Sequence, residues 1–233
     1  MKIFDCFRRK PFYKVTSLES LFDKAVMRSE IARDNFSEFE EKDLFYYLFE
    51  NVFYDKEIIT KIQKEYLQFV PKNSTKSFLD VGCGRGEFLT ILRDNGIKAK
   101  GIEINSVEYK LLKKKGFDVE FTDALTFLKH TEEMFSGISA IEVVEHLTFD
   151  YLYEFIHQAY EHVENSGVII LETLNCMNIS NLKNFYTDLT HQKPITLETL
   201  QFLCEHAGFK NLRVCRSFPH KHGYINYALI GEK

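Results

Sequence analysis

The sequence predicts an α/β protein: a seven-stranded, mostly parallel sheet with flanking helices, preceded by an N-terminal helical cap. Three observations predict it. Phe78, Leu79 and Val81 form the short apolar run of a buried parallel strand and lead straight into a glycine-rich turn, Gly82-Cys83-Gly84-Arg85-Gly86. Beyond the turn, short apolar runs alternate with amphipathic helical stretches, the signature of right-handed crossovers in a parallel sheet. Acidic residues fall where the runs stop, and in an open α/β sheet ligands lie outside the carboxyl ends of the strands.

With 233 residues, 45% of them hydrophobic, the chain is long enough for one such domain and an added helical segment. No apolar run approaches the ~18 residues of a membrane span, and the start lacks the apolar core and cleavage site of a signal peptide. A cytoplasmic location is the expectation. The five cysteines, Cys6, Cys83, Cys176, Cys204 and Cys215, never form a C-x-x-C pair, which argues against a disulfide framework or a zinc site. A net charge of −4 argues against a broad nucleic-acid-binding surface.

Taken in order, residues 1–16 are a basic and aromatic tail, with Phe4, Phe7 and Phe12 among Arg8, Arg9 and Lys10. Such a tail suits a frayed terminus packed on the domain, or peripheral contact with an anionic inner-membrane surface. Residues 17–71 read as the helical cap. Its strongest part runs from Asp43 to Phe69, where Phe45, Tyr46, Tyr47, Phe49, Phe53 and Tyr54 precede the amphipathic run Ile58, Ile59, Ile62, Tyr66, Leu67. These aromatics serve as core, as a lid or sugar-stacking platform, or as the contact of a homodimer.

Pro71-Lys72-Asn73-Ser74 separates the cap from the sheet domain, residues 72–233. Phe78–Val81 is the first strand, and Glu87 to Leu92 the helix after the turn. Lys98 to Ile104 is the second strand, Ser106 to Lys115 a helix, Phe117 to Phe121 the third strand and Ile138 to Val144 the fourth. A long helix from Thr148 to Glu164 leads to the fifth strand, Gly167 to Glu172. The helix from Thr196 to Ala207 precedes Phe209 to Ser217 and Tyr224 to Ile230, which complete the sheet as a hairpin.

The turn is a nucleotide-type site: its glycines let the backbone approach a ligand beside free helix amides. Its G-x-G-x-G spacing departs from the G-x-G-x-x-G of dinucleotide sites, and Asp80 beside it opposes a pyrophosphate. An acid there suits the ammonium and sulfonium of S-adenosylmethionine (SAM). Glu103 ends the second strand, where a carboxylate accepts both ribose hydroxyls. Asp123 follows the third strand and is placed to take an adenine amino group, to cap the next helix, or both. His146 follows the fourth strand, with Glu142 and Glu145 nearby, and its imidazole suits removal of an acceptor's proton. His157, His162 and His206 lie on helices and read as surface residues.

Phe78 to Phe88, Gly101-Ile102-Glu103-Ile104-Asn105, Thr122-Asp123-Ala124 and Glu142 to Leu147 resemble the successive motifs of class I SAM-dependent methyltransferases, whose sheet is Rossmann-like. A narrower likeness follows. Leu171-Glu172-Thr173-Leu174-Asn175 and Asn184 to Ile195 are similar to the E-T-P-N and F-Y-x-D-P-T-H-x-x-P patterns of bacterial methyltransferases from O-antigen, lipopolysaccharide and capsule clusters, with Leu174 and Leu189 replacing two prolines. The likeness extends over residues 45–217.

The resemblance implies a SAM-dependent O-methyltransferase acting on a sugar hydroxyl, or a terminal phosphate, of a surface-glycan precursor. It assigns the cofactor to Asp80, Gly82, Cys83, Gly84, Gly86, Glu103, Ile104, Asp123, Ala124 and Glu142, and catalysis to His146 with Glu145. Tyr186, Asp188 and His191 would line the acceptor side, with Lys193 and Arg85 for a phosphate; no metal is expected. The run Glu142-x-x-Glu145-His146 with His191 also resembles the metal ligands of small-RNA 3′-terminal 2′-O-methyltransferases, an alternative that the missing positive charge weakens. Two others are a non-catalytic interaction subunit and a nicotinamide-dependent oxidoreductase.

Overall fold

A computed structural model describes residues 19–216, 219–220 and 223–233. The basic and aromatic tail expected over residues 1–16 lies outside the described residues. The cap begins with α1 (Leu21–Arg28), whose first turn is closed by Ser20 Oγ accepting from Asp23 N at 3.1 Å. After a 3-10 turn over Arg33–Glu38 come α2 (Glu41–Phe53) and α3 (Lys56–Lys64). The aromatic and amphipathic runs are thus separate helices, because Asp55 takes an extended backbone and caps α3 through the amides of Glu57 and Ile58. A 3-10 turn, Glu65–Phe69, leads towards the sheet.

The sheet domain runs β1 (Phe78–Val81), α4 (Glu87–Asp94), β2 (Ala99–Glu103), α5 (Ser106–Lys114), β3 (Val119–Phe121), α6 (Ala124–His130), β4 (Phe135–Ile141), α7 (Phe149–His162) and β5 (Val163–Leu174). Then follow α8 (Leu182–Thr187), α9 (Leu197–Ala207), β6 (Lys210–Arg216), the short pair β7 (Pro219–His220) and β8 (Gly223–Tyr224), and β9 (Asn226–Glu232). The seven-stranded sheet has the order β3-β2-β1-β4-β5-β9-β6. β9 is antiparallel to both neighbours, and the pairings among β1 to β5 are parallel. The expected sheet and its terminal hairpin are both present.

Two differences bear on the site. The fourth strand stops at Ile141, three residues before its expected end, because Glu142 adopts φ +55° and Val144–His146 form a 3-10 turn. The fifth strand is longer than expected at both ends, running from Val163 to Leu174.

Both faces of the sheet are covered. Leu125, Leu128, Phe155, Ile156 and Leu200 from α6, α7 and α9 pack on one side, with Ile62, Phe88 and Leu92 from α3 and α4 on the other. The cap has its own small core of Ala25, Ile31, Tyr47 and Leu48, which closes on Val107 of α5. Helix α2 is also anchored by Asp43: its Oδ2 accepts from Ser106 N at 2.9 Å, and its carbonyl accepts from Asn105 Nδ2 at 3.0 Å. The aromatic helix is thereby fixed beside the carboxyl ends of β2 and β4. No helix among the described residues is long and apolar enough to cross a membrane.

Candidate active site

Gly82, Gly84 and Gly86 all have positive φ, so the turn doubles back before α4 begins. At Gly82, φ is +63° and an added Cβ would lie 2.6 Å from Val143 Cγ2, so this position has no room for a side chain. Glu103, at the end of β2, ties the turn to its own strand. Oε2 accepts from Gly84 N at 2.7 Å, and Oε1 accepts from Ile104 N at 2.8 Å and Asn105 N at 2.7 Å. Burial pushes this carboxyl up to about 7, against the pull of the Asn105 and Gly84 amides.

Two residues expected at the cofactor sit differently. Asp80 lies within β1, 2% exposed and bonded by Ser139 Oγ at 2.6 Å, and burial raises its carboxyl to about 7. It therefore lacks the open charge that the sequence reading gave it. Cys83 directs its thiol into the core, where a Cβ on Gly101 would meet Sγ at 2.7 Å. Its amide is taken by Ile102 O at 3.1 Å. Cys83 is a packing residue.

On the other flank, Asp123 caps α6: Oδ1 accepts from Thr126 N at 3.0 Å and from Tyr151 Oη at 2.8 Å. Ala124 is buried behind it. Ile104 is 67% exposed, an apolar face between the strand-end acids Glu103 and Asp123. An acid for a ribose, an apolar face for a base and an acid for an exocyclic amine form a donor set that fits an adenosine group.

The other half of the cleft is built on the 3-10 turn after β4. His146 Nδ1 lies 2.8 Å from Thr190 Oγ1, which donates to Asp188 Oδ1 at 2.6 Å. Asp188 Oδ2 accepts from Tyr46 Oη at 3.0 Å, bringing the cap helix into the site. Burial opposes the charge on Asp188, but the Thr190 hydroxyl and amide and the two histidines hold its carboxyl below the usual range. Burial, with His191 adding to it, pushes the His146 imidazole down to about 4, so the ring is neutral.

Asp188 and His191 thus stand behind His146 instead of lining an open acceptor surface. Asp188 is 3% exposed, and the His191 side chain is 1% exposed with Nδ1 at 2.8 Å from Phe185 O. Tyr186 is open at 69% exposure. Arg85 is spent inside the fold: it donates to Tyr54 O at 3.1 Å and pairs with Glu87 at 2.9 Å, away from any acceptor phosphate. Lys193 is exposed, its Nζ 5.5 Å from the centre of the Phe149 ring.

Beneath His146 lie carboxyls with little compensation. Glu145 is fully buried, and burial pushes it up to about 8 against the pull of the Thr173 hydroxyl. Glu142 faces it, and burial together with Glu145 and Glu172 raises it well above the usual range. Asn226 Nδ2 bridges Glu142 at 2.7 Å and Glu172 at 2.9 Å. The ligand atoms of Glu145, His146 and His191 all lie within 4.8 Å of one another, a set that could hold a divalent ion.

Sequence reasoning missed Thr190, Asn226 and the specific part played by Tyr46. Thr190 stood inside the quoted motif without a role. Tyr46 was visible only as one aromatic among six.

The architecture and the glycine turn define a class I SAM-dependent methyltransferase, with SAM as its cofactor. The chain belongs to the methyltransferase domain family, whose model matches residues 54–214. It is similar to a SAM-dependent methyltransferase from Archaeoglobus fulgidus, with 28% identity over 81% of this chain and 100% of that one, at a TM-score of 0.77. The fold also matches the plantazolicin methyltransferase BpumL in complex with SAH, with 14% identity over 91% and 96% of the two chains, at a TM-score of 0.61. An O-methyltransferase family protein from Burkholderia thailandensis matches with 15% identity over 89% of this chain and 66% of that one, at a TM-score of 0.62. No curated protein matches the sequence. These results set aside the oxidoreductase alternative.

Proposed function

We propose that the enzyme transfers the methyl group of SAM to a hydroxyl of a sugar in a bacterial surface-glycan precursor, with His146 taking the hydroxyl proton. The observation that carries this reading is a neutral imidazole set in a continuous run of rings. Tyr46 meets His146 edge-on at 6.4 Å, His146 meets His191 at 4.5 Å, His191 meets Phe185 at 4.8 Å, and Phe185 meets the exposed Tyr186 at 5.3 Å. Of these rings Tyr186 is open and Tyr46 half-buried, and aromatic faces beside a base suit the apolar faces and hydroxyls of a sugar. The likeness of residues 171–175 and 184–195 to surface-glycan methyltransferases supports the same acceptor class.

When bound, SAM supplies an electrophilic methyl group on a sulfonium. The protein's share is alignment and proton removal. Glu103 would hold the ribose, Ile104 and Asp123 the adenine, and the backbone of Gly82 and Gly84 the methionine portion. Glu142 closes the floor of the cleft, and Glu145, protonated at neutral pH, sits under His146 without adding charge.

The test is methyl transfer from radiolabelled SAM to a panel of nucleotide sugars and lipid-linked glycans. With a hydroxyl acceptor, His146→Ala should slow transfer by roughly 10²–10⁴. A terminal phosphate, the second acceptor this site could take beside Lys193, is already anionic, and there the loss should stay within about tenfold. Equal and small losses with both acceptors would overturn the base assignment.

The cluster of Glu145, His146 and His191 favours one further reading, metal-assisted methylation of a diol such as an RNA 3′ end. That reading predicts activity abolished by EDTA and restored by Mn²⁺. The surface-glycan reading predicts no effect of either.

A further inference from the structure

We propose that Thr190, Asp188 and Tyr46 are positioning residues that fix the tautomer of His146, placing its proton on Nδ1 and its lone pair on Nε2. The catalytic weight of this arrangement rests on the reading of His146 as the base; the tautomer itself follows from the donors and acceptors around Thr190. The Thr190 hydroxyl has one proton. It points at Asp188 Oδ1, 2.6 Å away, and a carboxyl that takes the Thr190 amide and hydroxyl on Oδ1 and the Tyr46 hydroxyl on Oδ2 acts as an acceptor. Towards His146 Nδ1, 2.8 Å away, Thr190 Oγ1 must therefore accept. Nδ1 carries the proton, and in a neutral ring Nε2 is left with the lone pair.

Asp188 is itself held on every side. The Thr190 amide donates to Oδ1 at 2.8 Å and Tyr46 Oη donates to Oδ2 at 3.0 Å. Tyr46 stands one helical turn from Asp43, whose bonds to Ser106 and Asn105 anchor α2 at the end of β2. The cap helix is thereby part of the catalytic machinery: one of its turns touches the cofactor strand and, three residues on, the group that orients the base. His191 has the same tautomer for a separate reason, since Phe185 O can only accept from its Nδ1.

The first readout is the nitrogen spectrum of the histidine-labelled full chain, with His146 assigned by its loss in His146→Asn. The expected result is a protonated Nδ1 and an unprotonated Nε2. Thr190→Val should mix the tautomers and Thr190→Ser should restore them. Tyr46→Phe should shift the His146 resonances with unchanged thermal unfolding. Once an acceptor is known, Thr190→Val should lower kcat by roughly 10²-fold at unchanged SAM affinity, with Thr190→Ser recovering most of it. A proton on Nε2 in the wild type, or a Thr190→Val spectrum identical to wild type, would overturn the inference. The spectrum needs no acceptor, so it is independent of the proposed function: a relay that is present while His146→Ala still methylates at full rate would sink the base and leave the tautomer assignment standing.

Discussion

On the proposed cofactor side of the cleft, Glu103 gathers the amides of Gly84, Ile104 and Asn105, partners no more than 19 residues away. On the proposed acceptor side, His146 reaches Thr190 across 44 residues, and Asp188 is met by Tyr46 across 142. The first half is made of backbone, glycine and two strand-end carboxylates, Glu103 and Asp123. The second is made of side chains drawn from the cap, the turn after β4 and the segment before α9. A backbone-built half tolerates little change of shape, whereas a half built from side chains is adjustable one contact at a time.

The sharpest way to break this comparison is to remove the centre of one half and watch the other. His146→Ala should cost roughly 10²–10⁴ in transfer to a hydroxyl while leaving SAM affinity unchanged, as read by titration calorimetry. A loss of SAM affinity of similar size would mean that the two halves are one unit.

Next in size is the turn itself. Gly82→Ala adds a methyl group against Val143 at a φ of +63° and should cost roughly 2–4 kcal/mol. Gly116→Ala, at φ +78° with nothing within 4 Å, should cost only about 1 kcal/mol. Urea unfolding of the two variants compares steric and conformational strain directly, and equal losses would remove the close approach to Val143 from the account.

The same buried carboxyls also make stability depend on pH. Asp80, Glu103 and Glu172 are raised to about 7, and Glu145 to about 8, chiefly by burial. A carboxyl whose pKa is higher in the folded state binds more proton there than in the unfolded chain, so its stabilising contribution is full at low pH. That contribution is lost as pH rises from the unfolded value near 4.5 through the folded value near 8. Each group changes stability by at most about 1.4 kcal/mol per pH unit. The melting temperature should therefore fall between pH 6 and pH 8.5, and Glu145→Gln should flatten the slope. A melting temperature that rises over that interval would contradict it.

The same contrast explains what could be read from the sequence. The first strand, the glycine turn and the alternation of strands and helices follow from local pattern, because each glycine and each apolar run acts through its own backbone. Glu103 and Asp123 were legible as strand-end acids for the same reason. The burial of Asp80 against Ser139 was not, since that contact joins neighbouring strands far apart in sequence. Arg85 read as a phosphate contact because its bond to Tyr54 O reaches back into the cap, beyond local pattern. Asp188 lay in a recognisable motif, yet its place behind His146 depends on Thr190 turning its hydroxyl one way and on Tyr46 arriving from the cap.

The measurement that tests the central claim most directly is calorimetric titration of SAM into the wild type, Glu103→Ala and Asp188→Asn. The account predicts binding to the wild type, loss of at least about tenfold in Glu103→Ala, where the proposed ribose anchor and the tether of the turn go together, and wild-type affinity in Asp188→Asn. No binding to the wild type, or equal losses in both variants, would contradict the division of the site into a cofactor half and an acceptor half.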